Sequence, residues 1–554
     1  MVHIRSPETL VLGFTMFVMG CCGLAYEYTY SKIATDLLGN SSHQWAMIIG
    51  IMLFFMGIGA DLQKHLNDRG LFDKLIISEL ALGLCGGFGP LLMLYAYGAW
   101  PSHYVLVQYF FITAVGLLIG FEIPLLTRIN HAYARDLRCN LANILKMDYV
   151  GSLCGALLWI FFLPKLFTII EGAFILALLT LGTAGFGLWY FRRLVQAPCL
   201  LTCAWVGCIL LVAYAFTRAE SWTLYAEQHL YRDRIVLSHT TPYQHIVVTK
   251  SISGDQSCYI NGQLQFNSTD EFIYHEQLVH PAMTIAPRRN TVLILGGGDG
   301  LALREVLKYP DVESVTLVDL DPYMTTLAKH DPYFRAMNEN SLSHARLCII
   351  ENHALIPAGE EPIVATSRKI DHQGASDEIA CVQLINIDAV KFIEQVPGRY
   401  DVIILDFPDP NTMQLAKLYA RHFYELLARR LSADGILVQQ STSPIHAKEA
   451  FLCIGRTLQS AGLEVAPYHD NVPSFGEWGW WIGGLRTHHT RESLRTALSD
   501  TEAIQVPTRY LTSELIRVAL VFGKRQLESV HHDITTLTTS RVYEYYLKGW
   551  RDGA

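Results

Sequence analysis

Two short segments concentrate the side chains able to do chemistry. In Asp406-Phe407-Pro408-Asp409-Pro410 two carboxylates stand three residues apart in a proline-stiffened loop. Such a pair can divide labour, one acid taking a proton from an attacking amine while the other holds its cationic end. In Gly296-Gly297-Gly298-Asp299-Gly300 a glycine-rich turn carries a single acid. Glycines there let a ligand approach the backbone at a helix N-terminus, and an acid ending the next strand, Asp319, can accept hydrogen bonds from ribose hydroxyls. The turn alone suits nicotinamide-dinucleotide and S-adenosylmethionine (AdoMet) enzymes alike. Asp299 narrows the choice, because a carboxylate in the nucleoside cleft repels the carboxylate of AdoMet and attracts an ammonium at the same place.

These residues need a scaffold, and the flanking pattern supplies one. A buried strand over 292–295 precedes the glycine turn, a helical stretch follows over 301–308, and a second strand over 314–320 carries Asp319. Further strands read at 382–387, 401–405 and 435–439, separated by helical patterns. Strands alternating with helices predict an α/β Rossmann-like, doubly wound parallel sheet of the AdoMet-methyltransferase type. Asp406 and Asp409 then fall at the C-terminal edge of the sheet, where ligands bind. Upstream, residues 222–285 alternate in short runs, with turn signals at Ser253-Gly254-Asp255 and Asn261-Gly262, and read as a small antiparallel sheet.

The whole chain has 554 residues, 51% of them hydrophobic and 17% charged. Its mean hydropathy is +0.23. Soluble domains carry roughly 25% charged residues, so this is not one ordinary soluble protein. Residues 1–217 hold 12 Lys+Arg and 11 Asp+Glu, net +1, whereas the remainder is net −9. Disorder, collagen and a disulfide miniprotein are excluded. The acidic second part argues against nucleic-acid binding and fits a cationic ligand. The 12 Cys are scattered, without a CxxC pair or zinc spacing.

Uncharged or nearly uncharged runs at 9–26, 43–60, 75–98, 103–125, 148–167, 171–191 and 199–217 predict a polytopic α-helical membrane domain of about seven spans. Arg5, Lys64/Arg69/Lys74, Arg128/Arg135/Arg138/Lys146 and Arg192/Arg193 alternate onto one side, which the positive-inside rule makes cytoplasmic. Glu27, Glu79, Glu122, Asp148 and Glu171 interrupt the runs. A row of them could guide a polyamine; the plainer reading is that most sit near helix ends at the interface or pair within the bundle, with only Glu27 and Glu122 deep. The expected organisation is 1–217 membrane domain, 218–288 small β-sheet subdomain, 289–500 Rossmann-like catalytic domain with an insertion at 351–381, and 501–554 C-terminal extension.

Taken together, Tyr243-Gln244, Asn261-Gly262-Gln263-Leu264-Gln265, Asp270-Glu271-Phe272-Ile273-Tyr274-His275-Glu276, the GGGDG turn, Val318-Asp319-Leu320-Asp321, Asp388-Ala389, the Asp406–Pro410 loop and Val472-Pro473-Ser474-Phe475-Gly476 closely resemble the spermidine synthase (polyamine aminopropyltransferase) family. The hydrophobic first part makes the chain look like the membrane-bound branch. The resemblance implies transfer of the aminopropyl group of decarboxylated AdoMet to putrescine or a longer polyamine, releasing 5′-methylthioadenosine. No permanently bound cofactor and no metal are implied. Carried over, Asp406 is the proton acceptor, Asp299 holds the aminopropyl ammonium, Asp319 binds the ribose, and Asp388 with Ala389 meets the adenine. Gln244 contacts the nucleoside, while Tyr274, His275 and Asp409 line the amine path. Expected partners are the polyamine, a lipid bilayer and a second copy in a homodimer, with no nucleic acid.

The chain departs from the family in places. Asp319 stands where many relatives have Glu, His275 where many have Gln, Phe475 where Tyr is frequent, and the Asp409–Tyr419 loop lacks a second Gly-Pro. Alternative readings are an AdoMet-dependent methyltransferase, and a polyamine transporter or sensor with a ligand-binding domain. His488-His489 and His531-His532 lack partners at ligand spacing. Trp478, Trp480 and Trp481 suit either adenine stacking or core packing. The donor is expected in the cytosol, whereas seven spans from a cytoplasmic N-terminus put the catalytic domain outside.

Overall fold

A computed structural model describes residues 7–39, 41–133, 136–343, 348–352 and 380–552. The chain divides into two units, Met1–Pro242 and Tyr243–Ala554. The 351–381 insertion falls, from 353 to 379, outside the described residues.

The first unit is helical: α1 (Pro7–Leu38), α2 (Ser41–Leu62), α3 (Leu71–Ala99), α4 (Tyr104–Asn130), α5 (Leu137–Phe161), the one-turn α6 (Leu163–Leu166), α7 (Ile169–Tyr190) and α8 (Pro198–Gln228), then strand β1 (Arg234–Thr240). Among the described residues, seven helices are long and apolar enough to cross a membrane. The shorter ones have 22 residues, about 33 Å of helix against a hydrocarbon core of ~30 Å. Small residues set the closest packing. A Cβ on Gly151 or Gly155 of α5 would stand 2.0 or 2.2 Å from the α1 carbonyls of Phe17 and Cys21, so the two backbones touch. The helix expected to end at 217 runs on to Gln228. Glu171 lies at a helix end, in a capping box with Thr168. Glu79, by contrast, is as deep as Glu122, each 1% exposed. It sits two turns inside α3, beside Glu122 of α4.

In the second unit β2 (His245–Lys250), β3 (Gln256–Ile260) and β4 (Gln263–Asn267) form an antiparallel ribbon. Gly254 (φ 101°) and Asn261-Gly262 (φ 50° and 79°) close its turns. The sheet expected over 222–285 is therefore shorter. Residues 222–228 belong to α8, and α9 (Glu271–Ile285) is a helix whose apolar Ile273, Leu278, Ala282 and Met283 face the core.

There follow β5 (Thr291–Gly296), α10 (Leu301–Val306), β6 (Ser314–Asp319), α11 (Pro322–His330), α12 (Pro332–Met337), β7 (Cys348–Asn352), β8 (Cys381–Asn386), α13 (Ala389–Gln395), β9 (Tyr400–Asp406), α14 (Met413–Ala416), α15 (Arg421–Arg430), β10 (Leu431–Gln440), α16 (Lys448–Ser460), β11 (Leu463–Val472), β12 (Gly476–Leu485), α17 (Arg491–Ser499), α18 (Ser513–Ala519) and α19 (Arg541–Asp552). Eight strands form one sheet in the order β11-β12-β10-β9-β5-β6-β8-β7. Val292, Ile294, Val402 and Ile404 face one core; Leu293, Leu295, Ile403 and Leu405 face the other. This alternation covers both sides with helices. The sheet is mixed rather than all parallel, because β12 pairs antiparallel with both β10 and β11. The Trp-rich β12 and the Pro-containing β11 give no alternating pattern to read. After β5 the chain proceeds to β6 on one side and later returns to β9 on the other. This places a topological switch point, where ligands bind in such sheets, at the carboxyl ends of β5, β6 and β9.

Candidate active site

Asp406 is the last residue of β9 and stands in register with Gly296 at the end of β5. The glycines are required by contact. A Cβ on Gly296 (φ 85°) would lie 2.0 Å from the Asp406 carbonyl oxygen, and one on Gly298 would lie 2.6 Å from the Asp319 carboxyl. Tyr274 of α9 donates its hydroxyl to Asp406 Oδ1 at 2.7 Å. Burial pushes the Asp406 carboxyl up, while the charge of His275 and the Tyr274 hydrogen bond pull it back. An acid raised in this way is a better proton acceptor than an ordinary carboxylate.

His275, next on α9, is 2% exposed. Its Nδ1 meets the Glu271 carboxylate at 2.9 Å and the Glu271 carbonyl at 2.7 Å. Two acceptors on one nitrogen require Nδ1 to carry the proton and donate. Burial lowers the His275 value, but Glu271, with Asp299 and Asp406 nearby, carries it to about 9. Glu271 is clasped in turn by Arg304 of α10 through two bonds of 2.8 and 3.0 Å. Burial opposes ionisation of Glu271, yet His275 and Arg304 hold its carboxyl below the usual range. Arg304 also donates to Glu305 at 2.7 Å. A cation thus sits among the site carboxylates, wired to a buried ion-pair chain.

Asp299 accepts the Leu301 N–H at 2.9 Å. Burial raises it to about 6 although the His275 charge lowers it, and Asp406 raises it again. Asp319 accepts the N–H groups of Gly298 at 3.0 Å and Asp321 at 2.8 Å, and burial lifts it to about 7. The glycine turn therefore links Asp319 to Asp299. Asp409 accepts from Thr442 Oγ1 at 3.0 Å and Gln440 Nε2 at 3.3 Å. Burial raises it to about 6. Asp388 caps α13 through the N–H groups of Val390 and Lys391, with Ala389 buried at the first helical position. It follows β8, whose Asn386 is in register with Asp319. Gln244 lies in the segment leading into β2.

Sequence reading missed several contributors. Glu271 and Arg304 secure His275, and Gln440, Thr442 and Tyr546 surround Asp409. Gln440 ends β10 at the same sheet edge as Asp406, a placement that could have flagged it; Tyr546 of the C-terminal helix carries no such signal. Trp478, Trp480 and Trp481 are core residues, 8%, 0% and 5% exposed. Trp480 stacks on Tyr468 at 5.5 Å. Among the described residues Glu276, His280 and Glu305 have the spacing of metal ligands. Their atoms are already engaged: Glu276 accepts three N–H groups from 509–511 at 2.6–3.0 Å, His280 bonds Tyr309 and Glu305, and Glu305 also pairs with Arg304 and Lys308. That group is a structural knot rather than a metal site.

The sequence profile of the spermine/spermidine synthase domain matches residues 271–355 and 360–493. The polyamine aminopropyltransferase of Leptospira interrogans serogroup Icterohaemorrhagiae serovar copenhageni (strain Fiocruz L1-130) is 37% identical, over 97% of this chain and 98% of that one. Polyamine aminopropyltransferase 2 of Ralstonia nicotianae (strain ATCC BAA-1114 / GMI1000) is 35% identical over 99% of both. The crystal structure of spermidine synthase from Thermotoga maritima matches at TM-score 0.40 and 19% identity, over 53% of this chain and 87% of that one.

Proposed function

The chain belongs to the polyamine aminopropyltransferase family, and from that premise we propose how its second unit moves an aminopropyl group from decarboxylated AdoMet to putrescine or another di- or polyamine. The observation that carries the reading is the set of Asp299, Asp406, Tyr274 and His275 at the sheet switch point, the tyrosine and histidine buried and the two carboxylates half-buried, acidic where two cationic substrates must meet. Asp299 holds the donor ammonium, Asp319 the ribose, Asp388 and Ala389 the adenine, and Gln244 the nucleoside. The acceptor lies along Tyr274 and His275 with its far ammonium at Asp409. Its near nitrogen attacks the methylene carbon beside the sulfonium. The new C–N bond forms as the C–S bond breaks, the bonding pair stays on sulfur as methylthioadenosine leaves, and Asp406 takes the amine proton. The sulfonium is already an activated leaving group, so alignment and proton removal suffice.

Asp406→Asn tests the base. Methylthioadenosine release should fall 10²- to 10⁴-fold, the usual contribution of a positioned base. Retained turnover in a folded variant removes Asp406 from that role.

The seven apolar helices are read as spans of a lipid bilayer, with the second unit on the cytoplasmic face where the donor is made. Protease treatment of inside-out vesicles should then digest residues 243–554. Protection would reverse the orientation, in line with the positive-inside bias, and make donor delivery across the membrane part of the function.

A further inference from the structure

Asp409 differs from Asp406 in its surroundings. Asp406 takes one side-chain hydrogen bond, from Tyr274. Asp409 receives Thr442 on one oxygen and Gln440 on the other, and the Tyr546 hydroxyl faces the same carboxyl. Several donors on one carboxylate favour its charged form, which suits an anchor for a cation better than a base.

The residue supplying the shortest of these bonds is held in an unusual place. Thr442 is fully buried and has φ 59°, a costly conformation for a β-branched residue. The surroundings impose it: its N–H donates to Gln440 Oε1 at 3.1 Å, and its carbonyl accepts the Gly479 N–H at 2.9 Å. Gln440 is itself fixed by the Tyr419 hydroxyl at 2.8 Å. Tyr546 comes from α19, which lies beyond the matched family domain. This helix packs on α16, with Trp550 stacked on His446 at 5.3 Å and 19°. Gly549 lets the helix approach, since a Cβ there would stand 2.6 Å from the His446 carbonyl.

We propose that Thr442 and Tyr546 are positioning residues that hold the Asp409 carboxylate as the anchor for the distal ammonium of the acceptor, so that the C-terminal helix takes part in choosing the amine. The proposal rests on the aminopropyl-transfer reading above. The acceptor class it fixes is a diamine or polyamine with a second cationic nitrogen, not a monoamine.

The test uses the full-length enzyme, decarboxylated AdoMet, and two acceptors, putrescine and 1-butylamine. Thr442→Val should raise the putrescine KM about tenfold, the loss of one hydrogen bond to a charged group, and Tyr546→Phe should raise it in the same direction. The donor KM and the rate with butylamine, which has no distal ammonium, should not change. Thr442→Ser should restore the wild-type putrescine KM, and Tyr543→Phe, on the same helix, should leave it unaltered. In Thr442→Val the acid limb of kcat/KM for putrescine should move to higher pH, because a donor to the Asp409 carboxylate is gone. Tyr274, Tyr419 and Tyr546 face this carboxyl and remain protonated through that range. Unchanged putrescine KM in Tyr546→Phe and Thr442→Val overturns the proposal, as do equal losses with both acceptors. If Thr442→Val does not fold, Tyr546→Phe decides by the same criterion. Wild-type protein that releases no methylthioadenosine with any amine overturns the underlying reading instead.

Discussion

Replacing His275 with Gln removes the one cation that faces Asp299 and Asp406 from α9, and both stability and activity should register it. The imidazole keeps its proton to about pH 9 in the folded chain, against an ordinary value of 6.5. The folded value is the higher one, so the cation's contribution is complete below pH 6.5 and disappears as the pH rises through about 9. At about 1.4 kcal/mol per unit the gap amounts to about 3 kcal/mol. The His275 and Glu271 side chains are 2% and 0% exposed, so solvent screening does not reduce it. In a unit of this size that corresponds to roughly 6 °C in the unfolding midpoint. Asp299, Asp319 and Asp409 are raised acids and also lose favour as they ionise, so the informative quantity is the difference between the two proteins. Unfolding followed by tryptophan fluorescence from pH 6 to 9.5 should show the wild type losing its advantage over His275→Gln across that window. The activity arm has a definite sign as well. The His275 charge lowers the Asp299 and Asp406 values, so its removal should shift the acid limb of kcat/KM to higher pH. Parallel pH slopes for the two proteins would refute a charged His275.

Tyr274→Phe removes the 2.7 Å donor to Asp406; kcat should drop about tenfold, the worth of one hydrogen bond to a charged group, in a methylthioadenosine-release assay at saturating substrates. Gly298→Ala should raise the donor KM far more than the acceptor KM, since its Cβ would sit 2.6 Å from the Asp319 carboxyl; initial-rate kinetics with each substrate varied separate the two. Glu276→Gln loosens the three N–H bonds that dock residues 509–511, and a destabilisation of about 2–3 kcal/mol should appear as faster proteolysis of the C-terminal segment. Replacing both Glu79 and Glu122, buried side by side in the helical unit, with Gln should leave methylthioadenosine release intact, while changed polyamine uptake into proteoliposomes would give the helices a transport role.

The sequence alone determined the two-part character of the chain, because a bilayer-length apolar run needs no partner to be recognised and an acid excess is a property of composition. It also determined the strand–turn–acid units around β5, β6 and β9, since a buried strand followed by glycines or prolines is a local signal. Asp299, Asp319, Asp388 and Asp406 all end or follow such strands, so their edge placement could be read in advance. Only the tertiary structure decided which groups meet. The Glu271–Arg304 clasp joins residues on different helices, the Thr442 conformation is imposed by β12, and Tyr546 reaches Asp409 from more than a hundred residues away in sequence. Charge state followed the same division. The sequence names an acid or an imidazole, but burial and the neighbour across the cleft determine whether it holds a proton at neutral pH, and neither is a local property of the chain.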